Sequence, residues 1–171
     1  QVDYVAVRPN GEIDITHLVE LLSQEKKTLV SLMHVNNEIG TVLNLDRIST
    51  ICQEHNVFFH SDTVQSIGKT VIDLQKLPID FIVASAHKFH GPKGVGFAFV
   101  RKNSGLQPLF YGGEQEKGLR AGTEALHQIA GMAKALSLSY VNLEAEKNSI
   151  TELRTYLINQ LKIEFPEFKI N

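Results

Sequence analysis

The sequence predicts an α/β fold built on a mainly parallel sheet. Two observations carry that reading. Three apolar runs, at residues 28–35, 57–59 and 81–84, are short, rich in β-branched or aromatic residues, and continuous enough for strands buried on both faces. Helical spacing of apolar residues separates the early runs, and the order strand, helix, strand, helix, strand implies βαβ crossovers.

The elements follow in order. Residues 2–8 alternate apolar and polar, as in a strand, and stop at the turn signal Pro9-Asn10-Gly11. Asp14 or Thr16 is placed to cap a helix with Leu18, Leu21 and Leu22 on its apolar face, and Lys26 and Lys27 suit its negative end. The run at 28–35 is broken by Asn36-Asn37-Glu38-Ile39-Gly40. Asp46 is expected to cap a second helix bearing Ile48, Ile51 and Cys52, ending near His55-Asn56. The strand at 57–59 gives way to His60-Ser61-Asp62. The strand at 81–84 leads to Ser85-Ala86-His87-Lys88, a Gly/Pro-rich turn and a last apolar run at 95–100. Gly94-Val95-Gly96 reads as a tight turn into that run rather than a dinucleotide fingerprint, because a strand and not a helix follows. Residues 106–123 form a long functional loop that Leu109-Phe110-Tyr111 should anchor. Two helical stretches are then expected: one with Ile129, Met132, Ala133, Leu136 and Tyr140 in a stripe, the other over 143–163 with Ile150, Leu153, Leu157 and Leu161. Glu144-Ala145-Glu146 reads as a solvated helix face, and Phe168-Lys169-Ile170 as the possible start of a further strand.

Bulk properties narrow the function classes. The chain has 171 residues, 43% of them hydrophobic and 21% charged, which is ordinary for a globular domain with a sizeable core. A net charge of −2 argues against general nucleic-acid binding. No stretch approaches the roughly 18 apolar residues of a membrane span, and no signal peptide opens the chain. The single cysteine, Cys52, excludes an intrachain disulfide, fits a reducing compartment and reads as a packing residue on an apolar helix face. The abrupt start at Gln1 suggests a piece of a larger protein.

The chemistry collects at the strand ends. Asn37 follows the first strand, Asp62 and Gln65 the second, and Ser85, His87 and Lys88 the third. In a parallel sheet these ends are neighbours, and ligands bind in the crevice beyond them. An acid, an amide, a hydroxyl, an imidazole and an amine together suit a flat, phosphorylated heteroaromatic ligand. The amine can form a Schiff base with its aldehyde, the carboxylate can pair with its ring nitrogen, and hydroxyl and imidazole can hold its phosphate. That ligand is pyridoxal phosphate. A metal site is disfavoured, because no ligand pair supports His60, His87 and His90. Lys93 is the rival for the Schiff base, and His127 reads as a structural helix residue.

Four segments then carry a specific resemblance: MHVNNEIG at 33–40, HSDTVQSIGK at 60–69, SAHKFHGPKGVG at 85–96 and GGEQEKGLRAGTE at 112–124. In order and spacing they resemble the class V, fold-type I pyridoxal phosphate enzymes, and most of all the NifS/IscS-type cysteine desulfurases. The resemblance implies the three-layer PLP-transferase large domain, aspartate aminotransferase-like, with helices on both faces of the sheet. It implies that residues 1–165 form most of that domain, ending in a long helical connection, and that 166–171 begin a C-terminal small domain.

By the same resemblance Lys88 is the Schiff-base lysine, Asp62 the partner of the ring nitrogen and Gln65 the amide near the phenolic oxygen. Asn37 is a cofactor contact, and Ser85 and His87 bind the phosphate. Thr123 reaches the phosphate of the neighbouring subunit in an obligate homodimer. Apart from the resemblance, Arg120 is a candidate for a substrate or partner contact, as is His127, for which the structural helix role is favoured. The implied reaction converts L-cysteine to L-alanine, with Lys88 moving the Cα proton and the sulfur leaving as an enzyme persulfide for a sulfur-acceptor or scaffold protein. That places the enzyme in the cytoplasm, or in the mitochondrial matrix of a eukaryote. The family's nucleophilic cysteine and substrate-binding arginine are expected beyond Asn171, and its ring-stacking histidine before Gln1. The isolated chain is therefore not expected to turn over cysteine. Selenocysteine lyase, another class V transferase, or a non-catalytic dimerisation module of the same fold are the competing readings.

Overall fold

A computed structural model describes residues 1–24 and 26–170. Among them, β1 (Leu29–Met33), β2 (Phe58–Asp62), β3 (Phe81–Ser85) and β4 (Gly96–Val100) form one sheet in that spatial order. β1, β2 and β3 run parallel, and β4 returns antiparallel beside β3. Short loops can close an antiparallel pair but not a parallel one, and the turn at Lys93-Gly94 does this for β3 and β4. Gly94 carries it with φ +82°, a backbone region that suits glycine.

The α-helices among the described residues are α1 (Ile15–Leu22), α2 (Leu45–Glu54) and α3 (Leu126–Glu164). Leu18 and Leu22 of α1, and Ile48 and Cys52 of α2, share one core with Val30, Phe59, Ile82 and Ala84. Met132, Ala135 and Leu136 of α3 pack against the same core beside Phe97 and Phe99. The mostly parallel sheet flanked by helices is the predicted α/β architecture. The opposite sheet face is more open: Leu29 and Met33 are exposed, and Phe58, His60, Asp62 and Ser85 are half-buried.

Several local expectations change. Residues 2–8 form no strand; only Val7 bridges to Ile13, and Tyr4 is 85% exposed, because no neighbouring strand is there to pair with. Asp14 caps α1, accepting from the backbone N–H of Thr16 and His17. α1 ends at Leu22, so Lys26 and Lys27 lie outside its last turn. Asn44 rather than Asp46 caps α2; its side chain accepts from the N–H of Arg47, while Asp46 sits in the first turn and still complements the helix dipole.

Leu109, Phe110 and Tyr111 do not anchor their loop. They are 81%, 58% and 82% exposed, and the loop is held instead by its own contacts around a 3-10 turn at Gln115–Gly118. The two expected C-terminal helices are one helix of 39 residues, since nothing between 140 and 150 breaks the backbone ladder. Within it Ile129, Met132 and Leu136 are half-buried, whereas Ala133, Ile150, Leu153 and Leu157 are exposed. Glu144 and Glu146 are solvated as predicted, and residues 165–170 carry no regular element.

Candidate active site

Three parallel strands deliver their last residues to one edge of the sheet. Met33 pairs with Asp62, and Asp62 pairs with Val83, so β3 continues two residues past that level to Ser85. The hydrogen-bond ladder runs on beyond the strands: His34 N donates to Asp62 O at 2.9 Å, and Thr63 N donates to Val83 O at 3.2 Å. Asp62, the turn bearing Gln65, and Ser85 with the turn bearing Lys88 are thereby brought to adjacent strand ends. This is the crevice where open α/β sheets place ligands.

Lys88 lies on a 3-10 turn at Ala86–Phe89. Ala86 and Phe89, at 0% and 1% exposed, anchor the turn in the core and leave His87 exposed and Lys88 half-buried. α3 braces the turn from below, Ser139 Oγ donating to Phe89 O at 3.4 Å. Lys88 Nζ has no hydrogen bond or ion pair among the described residues. Its rival Lys93 is exposed in the next turn, where its carbonyl accepts from Gln128 Nε2 at 3.3 Å.

The other candidates are held to different degrees. Asp62 is half-buried; its Oδ1 accepts from Val64 N at 2.9 Å, which orients the carboxylate and leaves Oδ2 without a partner among the described residues. Gln65 is half-buried on the turn that follows. Ser85 Oγ and His87 Nδ1 lie 2.9 Å apart, a paired hydroxyl and imidazole beside Lys88. His60, two residues before Asp62 on the same face, has its Nδ1 2.8 Å from Ser31 Oγ. Burial lowers the pKa of His60, and the Asp62 charge partly opposes that.

Two predicted residues stand apart from this group. Asn37 is exposed in the excursion between Val35 and Val42, its Nδ2 donating to Glu38 Oε1 at 2.9 Å, while Asn36 Oδ1 accepts from the N–H of Glu38 and Ile39. Thr123 is exposed on the loop after the 3-10 turn. Arg120 is engaged locally, its guanidinium 4.9 Å from the centre of the Phe110 ring.

Sequence reasoning passed over His34. It is 8% exposed at the carboxyl end of β1, with Nδ1 2.8 Å from Ser66 Oγ on the turn that carries Gln65. The available signal was a polar residue near the end of an otherwise apolar run. Cys52 is buried as predicted, and burial, followed by the Asp80 charge, pushes its thiol up to about 12. Among the described residues no group of three or more His, Cys, Asp or Glu could hold a metal ion, and no helix is long and apolar enough to cross a membrane.

A cavity of about 600 Å³ opens at the opposite edge of the sheet, between Lys27, Gln53, Phe58, Asp80 and Arg101. Arg101 and Asp80 there are in structural use. The Arg101 guanidinium donates to the carbonyls of Ile79, Leu74 and Leu77, and Asp80 Oδ2 accepts from Phe59 N at 2.8 Å. The strand-end crevice, where amine, carboxylate and amide keep free valences, is the better candidate.

The chain is similar to several known proteins. The chain is 38% identical over 171 residues to the cysteine desulfurase IscS of Dictyoglomus turgidum, covering 100% of this chain and 43% of that protein. The solved NifS-like protein of Rickettsia africae superposes with a TM-score of 0.88 at 36% identity, over 92% of this chain and 44% of that one. SspA, solved in complex with cysteine, gives a TM-score of 0.71 at 38% identity, over 80% of this chain and 40% of that one. The chain thus spans less than half the length of the relatives it matches. The sequence pattern described as aminotransferase class-V matches residues 1–171 without remainder, and the chain belongs to that family.

Proposed function

We propose that this chain is the cofactor-binding part of a pyridoxal phosphate-dependent cysteine desulfurase. Pyridoxal phosphate is the cofactor of the class V family, and the donor set at the strand ends fits it. The observation that carries the reading is Lys88, a half-buried amine with no protein partner among the described residues, on a core-anchored turn at the strand end beside Asp62.

When bound, the cofactor supplies an aldehyde that takes up an amine and a ring that accepts electrons from the substrate α-carbon. The residues of this chain supply the rest. Lys88 Nζ would be the amine that holds the cofactor's aldehyde, and as a free amine it would move the substrate's Cα proton as base and then acid. Asp62, oriented through Val64 N, offers its second carboxylate oxygen to hold a proton on the ring nitrogen. Gln65 is assigned to the phenolic oxygen, Asn37 to a further cofactor contact, and Ser85 and His87 to the phosphate, which their mutual contact at 2.9 Å pre-orders them to meet.

The substrate we assign is L-cysteine, in keeping with relatives named cysteine desulfurase and with SspA solved with cysteine. The C–S bond breaks, a thiolate takes the sulfur as a persulfide, and the carbon skeleton is protonated and leaves as alanine. Cys52, the single cysteine of this sequence, is not that thiolate, because it is buried and its pKa is pushed up to about 12. We therefore assign the sulfur-accepting thiol to a part of the protein outside these 171 residues, and expect the isolated chain to be inactive.

We further assign residues 1–165 to the large domain and 166–171 to the beginning of a second one, in keeping with the exposed apolar residues Ile150, Leu153 and Leu157 on α3. The exposed Leu109, Phe110, Tyr111 and Leu126 flank Thr123 and suit burial against a second copy, from which Thr123 would reach the neighbouring site. A sulfur-acceptor protein and a cytoplasmic setting complete the proposal.

The test is spectroscopic and then chemical. Full-length protein mixed with pyridoxal phosphate should develop a visible absorbance band that Lys88→Ala abolishes. It should then release alanine from L-cysteine; a colourless wild-type protein overturns the reading, and release from L-selenocysteine alone reassigns it as a selenocysteine lyase.

A further inference from the structure

His34 joins three strand ends through one chain of buried contacts. Its N–H donates to Asp62 O at 2.9 Å, and its carbonyl accepts from Leu43 N at 2.7 Å, so its backbone position is fixed on both sides. Its ring meets Ser66 Oγ at 2.8 Å, and Ser66 Oγ donates to Thr63 O at 3.1 Å. Thr63 Oγ1 in turn donates to Val83 O on β3 at 2.8 Å. His34, Ser66 and Thr63 are 8%, 1% and 0% exposed, so these bonds face little competition from water.

The imidazole and the Ser66 hydroxyl share one short hydrogen bond at 2.8 Å, whose direction follows the ring tautomer, and the same hydroxyl lies 3.1 Å from Thr63 O. Burial favours the neutral ring by lowering its pKa. Gln65 sits immediately before Ser66, between that fixed point and Asp62.

We propose that His34 is a positioning residue for the cofactor site: through the hydrogen bond between Nδ1 and Ser66 Oγ it clamps the turn that follows Asp62 and sets where Asp62 and Gln65 meet the cofactor. The role toward the cofactor rests on the site reading above; the hydrogen bond does not. A packing histidine would contribute only to stability, whereas a clamp on this turn also tunes the electronics of whatever ring Asp62 and Gln65 hold.

The test compares His34→Leu, His34→Asn, Ser66→Ala and the double variant His34→Leu/Ser66→Ala in full-length protein. Asparagine places an amide group, able to donate or accept, near the position of Nδ1, and leucine places no polar atom there. Amide hydrogen exchange at Ile67 and Thr70, whose N–H groups donate to Thr63 O and Ser66 O, reads the turn without cofactor. Affinity for pyridoxal phosphate and the pH midpoint of its visible band read the site. His34→Leu and Ser66→Ala should each speed exchange and weaken affinity about tenfold and shift the pH midpoint, His34→Asn should restore all three, and the double variant should be no worse than either single one.

A lower melting temperature with unchanged exchange, affinity and midpoint overturns the proposal, as does an asparagine variant that behaves like leucine. A wild-type protein that takes up no pyridoxal phosphate overturns the site reading and the role toward the cofactor together. Unchanged exchange in His34→Leu, with wild-type cofactor binding intact, overturns the clamp alone.

Discussion

Phe89 packs against Gly68 where a Cβ on the glycine would lie 2.7 Å from the Cβ of Phe89. This contact presses the turn that follows Asp62 against the turn that carries Lys88, and Ser139 of α3 closes it from below at 3.3 Å from the same point. Gly68 also has φ +79°, a conformation that costs an L side chain energy of its own. Gly68→Ala should therefore destabilise the protein by about 2–4 kcal/mol, combining backbone strain with overpacking. Urea denaturation with an unchanged m-value measures it.

Asp62 should be needed for turnover more than for assembly. Its Oδ1 is satisfied by Val64 N, and an asparagine oxygen can accept the same bond. Asp62→Asn in full-length protein should fold and take up pyridoxal phosphate but release alanine from L-cysteine at least about a hundredfold more slowly, the scale of losing one electrostatic stabiliser. Paired measurements of the visible band and of alanine release check it, and normal turnover removes Asp62 from the ring nitrogen.

Cys52 should be silent toward alkylating reagents in the folded state. Its pKa lies near 12 against an ordinary 9.0, so at a given pH it holds about a thousandfold less thiolate, before access is considered. Labelling by iodoacetamide at mildly alkaline pH should be undetectable in native protein and rapid in urea. Mass spectrometry of the Cys52 peptide distinguishes the two.

Arg101 locks the amino edge of the sheet. Nε donates to Ile79 O at 2.8 Å, and Nη2 donates to Leu77 O at 2.8 Å and Leu74 O at 3.0 Å. Arg101→Met orphans these carbonyls and removes the guanidinium that lies 5.5 Å from the centre of the Phe99 ring, and should cost about 2–3 kcal/mol. The Lys88 site at the far edge should keep its affinity for pyridoxal phosphate, which a titration checks.

Acid should weaken the fold through buried histidines. Burial lowers the pKa of His34 and of His60 below the ordinary 6.5, so the unfolded chain binds these protons more readily than the folded one. Their contribution to stability is complete above about pH 6.5 and is lost as pH falls from there through the folded-state values. The Asp62 charge, which partly opposes the shift at His60, softens the effect there. His34→Asn should flatten the stability profile on the acid side, as read by denaturation midpoints between pH 5 and 7.5.

Much of the fold was legible because its signals are local. Continuous apolar runs gave β1, β2 and β3 to within a few residues, and the polar residues that stop them marked the crevice. The placement of Lys88, Asp62, Gln65, Ser85 and His87 at or just beyond strand ends was legible for that reason. Asn37 was read as a strand-end residue, yet the chain turns outward after Val35 and pairs back through Val42, which sequence spacing does not reveal. Residues 2–8 alternate like a strand but gain only one bridge, since alternation cannot say whether a partner strand is present.

What the sequence by itself determined is the set of elements and the chemical types at their ends, because burial period, caps and turn residues act over a few positions. Tertiary structure alone decided which of those groups hold one another. The clamp of His34 on Ser66 spans 32 positions, and the bond from Ser139 to Phe89 spans 50. Such contacts depend on register and helix docking, which bring residues within hydrogen-bond reach only after the strands have paired. Lys88 was visible as a lysine at a strand end; the fold is what left it half-buried, braced from below and without a protein partner among the described residues.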